Sequence, residues 1–116
     1  MHIVFDSAVE ELRQRFLVLE LDTFRDRRSH LTRTAWCVIE NIPLEEMPIT
    51  EELRQAHEDL MRDYRTRQWQ KCLVTLSGLT GRWAGEVDSF YEILAQRIQG
   101  LEHQELPETW DGAVEV

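Results

Sequence analysis

Arg25, Arg27, Arg28 and Arg33, with His30 among them, put four guanidinium groups within nine residues. Guanidinium meets oxyanions bidentately, so such a cluster suits a phosphate or an acidic protein surface. The competing reading is a solvated loop that blunts an exposed sheet edge, and Asp26 dilutes the patch. A second basic run, Arg62, Arg65, Arg67 and Lys71, falls around a predicted helix end. Cations there complement the helix dipole, and no ligand is needed to explain them.

Other chemistry finds little support. The four histidines and two cysteines form no C-x-x-C, H-x-x-x-H or H-E-x-x-H spacing, so neither a metal site nor a cofactor is expected. Glu45-Glu46, Glu51-Glu52 and Glu58-Asp59 are carboxylate neighbours. Adjacent helical residues point about 100° apart and do not face each other across a substrate, so solvated faces explain them. Cys37 and Cys72 lie in apolar runs, where a thiol is inert. No catalytic residue is therefore expected.

The tryptophans are the other unusual feature, four in 116 residues. Trp36 and Trp69 fall within regular elements and are expected in the core. Trp83, between Gly81 and Gly85, and Trp110, in the tail, are harder to place. Each is either a plug between helices or an anchor for a partner. The candidate partner-binding residues are thus Arg25, Arg27, Arg28, Arg33, Trp83 and Trp110.

Which elements hold these residues follows from the hydrophobic pattern. Residues 2–5 are β-prone. Asp6-Ser7 offers an N-cap, Ser7 and Glu10 have capping-box spacing, and Val9, Leu12 and Phe16 predict a helix of two to three turns. Residues 17–24 alternate, with Leu17, Leu19 and Leu21 on one side, as a half-buried strand does. Residues 33–42 form a second strand with Ala35, Cys37 and Ile39 on one face, so 25–32 reads as a hairpin loop. Pro43 and Pro48 end the sheet region.

Beyond them the period becomes helical. Thr50 is expected as an N-cap ahead of Leu53, His57, Leu60 and Tyr64. A break at 66–68 precedes Trp69, Cys72, Leu73, Leu76 and Leu79, which the glycines at 78, 81 and 85 stop. A last helix over about 86–101 carries Val87, Phe90, Leu94, Ile98 and Leu101.

Composition narrows the functional classes. The net charge is -9, and its distribution is uneven: residues 86–116 hold eight acidic side chains and one basic one, Arg97. An acidic third of the chain repels phosphate backbones, so nucleic acid is an unfavoured partner. Two cysteines 35 residues apart make no disulfide framework, and reduced thiols fit a cytoplasmic protein. The start, MHIVFDSAVEE, lacks the pattern of a signal peptide, and no apolar run approaches membrane-spanning length.

Residues 56–112 resemble the helical segment that follows the catalytic domain in many bacterial class III adenylate/guanylate cyclases. The likeness is carried by Tyr64 and Trp69 on a helical hairpin, by Tyr91 and Arg97 on a later helix, and by Pro107 before Trp110-Asp111-Gly112. The Trp-Asp-Gly ending is its most specific part. The cyclase catalytic domain has no counterpart in residues 1–50, so the resemblance implies no activity. It implies a tetratricopeptide-like helical module with a packing or regulatory role. The layout is also similar to that of uncharacterised short α+β proteins of marine bacteriophages.

The expected fold is α+β: a small antiparallel sheet with an N-terminal helix, packed against a three-helix C-terminal half. One domain, 1–116, is expected, with a strand-rich half over 1–48, a helical half over 49–105 and an acidic tail over 106–116. The expected function is a non-enzymatic protein–protein interaction or regulatory module that binds another protein or its own copy. The alternatives are a nucleic-acid or phosphate-ligand binder using the 25–33 loop, and a small phage-encoded structural or host-modulating protein.

Overall fold

The computed structural model describes all 116 residues. The fold is α+β, and the chain forms two compact units, Met1–Asn41 with Gly112–Val116, and Ile42–Asp111.

In the first unit, β1 (His2–Phe5), α1 (Asp6–Arg13), β2 (Leu17–Arg25), β3 (Thr32–Ile39) and β4 (Val114–Glu115) build a four-stranded sheet of order β1-β3-β2-β4. β3 pairs antiparallel with β1 and with β2, and β4 adds to β2 in parallel. Central placement explains why Ala35, Cys37, Val38 and Ile39 are all buried although they point alternately to two faces. A register shift between Glu20 and Thr23 marks a bulge in β2.

The expected cap of α1 does not form. No side chain caps this helix, and Ser7 and Glu10 make no capping box. The Asp6 carboxylate turns to β3 instead, accepting from the Thr34 backbone N–H at 2.8 Å and from Trp36 Nε1 at 3.4 Å. β1 stops at the Phe5–Ala35 pair, so Asp6 supplies the acceptor that the next ladder residue would have given. Arg13, one helix length on, lays its guanidinium 4.7 Å from the centre of the Trp36 ring. Trp36 is half-buried under that cation and is not the core residue expected.

In the second unit a 3₁₀ segment, Leu44–Ile49, runs directly into α2 (Thr50–Arg65). Thr50 is already helical, and its hydroxyl donates back to the Glu46 carbonyl at 2.9 Å, so it does not cap the helix. α3 (Trp69–Leu79) and α4 (Asp88–Leu101) follow, with a short left-handed turn, Trp83–Gly85, between them. The core of this unit holds Leu60, Tyr64, Cys72, Leu76, Leu79, Trp83, Val87, Tyr91, Leu94 and Ile98. Apart from Trp83 and Tyr91, these belong to the apolar stripes read at helical spacing.

The expected acidic tail is ordered. Residues up to Asp111 belong to the helical unit, and Gly112–Val116 belong to the sheet unit.

Candidate interaction surfaces

The arginine loop is a built turn. The Asp26 carboxylate accepts from the backbone N–H groups of Arg28 at 2.7 Å and Ser29 at 3.1 Å. Those two bonds, Ser29 foremost, hold its pKa below the usual carboxylate range. Asp26 N–H donates to the Leu31 carbonyl, and Arg27 N–H to that of Val116. Its cations do not converge. Arg33 lies on β3 with its guanidinium 4.6 Å from the centre of the Phe5 ring, while Arg27 approaches Glu115 at 3.9 Å. Arg25 is half-buried in β2 and Arg28 is exposed.

Trp110 belongs to a cluster of three rings. Its ring centre is 5.6 Å from that of Tyr64 and 5.6 Å from that of Trp69, and Tyr64 and Trp69 are 6.0 Å apart, all three pairs edge-on. Arg67 closes the cluster. Its guanidinium stands 5.5 Å from the centre of the Trp110 ring and donates to the carbonyls of Leu106 and Pro107. The segment ending in Trp110 therefore docks on the α2–α3 hairpin, the plug reading of the two. Trp69, expected in the core, is half-buried at the edge of this cluster.

Arg67 reaches the tail from a left-handed backbone, φ 63°, at the turn between α2 and α3. Such a conformation costs a non-glycine residue about 1–2 kcal/mol.

Trp83 is fully enclosed and presents no ring to a partner. Its indole N–H donates to the Tyr91 hydroxyl at 3.1 Å, and its backbone N–H donates to Glu46 Oε1 at 2.9 Å. Trp83 and Ala84 have φ of 57° and 55°, and Gly85 continues the left-handed turn at 76°. Burying the indole offsets the strain of that turn. Glu46, expected on a solvated face, is buried because it receives this N–H. His57 completes the set, with Nδ1 2.9 Å from the same Tyr91 oxygen.

Burial shifts two of the titratable groups sealed in this core. Burial pushes the His57 imidazole down to about 4. Burial first, then the Asp63 charge, pushes the Cys72 thiol up to about 11. No group of three or more His, Cys, Asp or Glu side chains comes together.

The open edge of β1 is the surface that the site residues read from sequence did not include. β1 pairs with β3 on one side only. Ile3 is 49% exposed and Phe5 37%. The strand has neither lysine nor proline to blunt it, and His2 pairs with Glu40 at 2.8 Å beside it. Its residues were legible as β-prone; its position at an edge depends on pairing with a strand some 30 residues away, which composition does not reveal.

Compared with family models, with curated proteins and with solved structures, the chain matches none significantly. No helix is long and apolar enough to cross a membrane.

Proposed function

We propose that this chain is a non-enzymatic interaction module that pairs reversibly with a second copy of itself along β1. The observation that carries the reading is the unblunted β1 edge with Ile3 and Phe5 exposed along it. An antiparallel strand pair is self-complementary about a two-fold axis, which suits an edge meeting its own copy. The four residues of β1 carry no formal charge with His2 neutral. The sheet unit holds 8 acidic and 6 basic side chains against 14 and 7 in the helical unit. Pairing through the sheet unit places the less acidic of the two units at the contact.

Four strand residues bury far less than the roughly 1,200 Å² of a stable interface, so the association is weak and concentration-dependent. What supports a non-catalytic role is the sealing of His57 and Cys72, each shifted away from the pKa a general base or thiolate nucleophile needs. The likeness to a cyclase tail segment agrees with a regulatory module, and the packing of Tyr64, Trp69 and Trp110 into one cluster supports it.

Ile3→Lys tests the reading, since a lysine on an edge strand opposes edge-to-edge pairing. Light scattering of the parent protein should show a mass rising from monomer toward dimer over a concentration series. Ile3→Lys should stay monomeric with an unchanged melting temperature. A parent that is monomeric throughout, or a variant that still dimerises, overturns the proposal.

A further inference from the structure

A groove of about 490 Å³ runs between α3 and α4. Leu76 and Tyr91 form its buried floor, and Leu73 and Ala95 are half-buried along it. Gly81 N–H donates to Asp88 Oδ1 at 2.8 Å, which ties the turn after α3 to the first residue of α4. The lining residues of α3 begin at Leu73 and recur at offsets of three, four and seven; those of α4 begin at Asp88 and recur at the same offsets. Two matched rows of this kind, about 10 Å long, are the shape that receives two turns of another amphipathic helix.

The charge of the groove selects among such helices. Asp88 and Glu92 stand toward the shared turn, and no lining residue is basic. The helical unit around it has twice as many acidic as basic side chains, 14 to 7. The groove between α2 and α3 differs in this respect. Arg62 on its rim already pairs with Asp59 at 3.1 Å and Asp63 at 3.7 Å, so its carboxylates are matched within the chain.

The geometry points to the α3–α4 groove as a docking site for a basic amphipathic helix of a partner protein. Two apolar side chains one turn apart cover Leu73 and Ala95. A lysine or arginine a further turn along meets Glu92 and the outer side of Asp88. The attraction speeds encounter and rejects acidic helices, while the apolar floor holds the complex. None of its lining residues belongs to β1.

The probe is a helical peptide of about 14 residues with leucine at i, i+3, i+4 and i+7 and lysine at the polar positions, long enough to span the groove. Its control carries glutamate in place of lysine. With full-length protein, backbone amide shifts on adding the lysine peptide should cluster at Leu73, Ser77, Glu92 and Ala95, and the glutamate peptide should give none. Ser77→Trp fills the groove from an exposed position, and Glu92→Lys reverses its charge. Each should weaken binding by about tenfold or more while melting as the parent does. If Ser77→Trp alters melting, Glu92→Lys carries the test. Ile3→Lys should bind the peptide as the parent does, which keeps this result apart from the edge pairing. Absent binding, equal binding of both peptides, shifts centred elsewhere, or undiminished affinity in the variants overturns the inference.

Discussion

His57 Nδ1 lies 2.9 Å from the Tyr91 hydroxyl oxygen, with both side chains shut off from solvent. The same oxygen accepts the Trp83 indole N–H, so one phenol joins α2, α4 and the strained turn before α4. A core fastened in this way depends on His57 remaining neutral.

That dependence sets a pH response. The imidazole falls from its ordinary 6.5 to about 4 through burial. Between those values the unfolded chain takes up a proton that the folded chain refuses. Stability from this group is therefore complete above about pH 6.5 and declines as pH drops toward 4, by at most about 1.4 kcal/mol per pH unit. Urea midpoints measured from about pH 7 to about pH 5 should fall in the parent; His57→Gln, which has no proton to gain, should respond less steeply.

Trp110→Ala removes two edge-on ring contacts and the surface beneath Arg67. The ring is half-buried, so a loss of about 2 kcal/mol is expected. An unchanged melting temperature would show that the tail contributes nothing to the fold. Arg67→Ala loses the clamp and keeps the left-handed strain. Arg67→Gly loses the clamp but relieves the strain, so it should be the more stable of the two by about 1 kcal/mol.

Glu46→Ala leaves the buried Trp83 N–H without its acceptor, at a cost of about 1–3 kcal/mol. Glu46→Gln keeps a side-chain oxygen at the same reach and should lose markedly less. Equal losses in both variants, read from denaturant midpoints, would mean that the N–H finds another acceptor.

The 25–33 loop should not act as a phosphate grip, because Arg33 is placed over Phe5 and Arg27 approaches Glu115. Anisotropy of labelled duplex and single-stranded oligonucleotides at low salt should show no saturable binding. Binding that falls steeply with salt and vanishes in the double variant Arg27→Glu, Arg28→Glu would restore the phosphate-binding alternative.

Much of this architecture is legible in local spacing. Leu53, His57, Leu60 and Tyr64 mark the inner face of α2, the break at 66–68 separates it from α3, and the alternation of 17–24 foretells β2. The features missed are those decided far along the chain. Glu46 looks like a solvated acid until Trp83, 37 residues later, turns its N–H inward. Thr50 looks like a cap until a 3₁₀ turn runs into it and occupies its hydroxyl. β4 has two residues, too few to show a period, and exists because β2 offers it a free edge.

The pairing of β4 with β2 bears on the order in which the chain assembles. Joining Phe24 to Val114 closes a loop of ~90 residues, an entropic cost met late. The helical unit is one continuous stretch of sequence, whereas the sheet unit is made from two stretches that flank it. During synthesis the helices can complete their packing while the outer side of β2 still waits for residues 114 and 115 to emerge. Until then Phe24 and Arg25 lack their partners on that side, and the time they stay unpaired is set by translation speed.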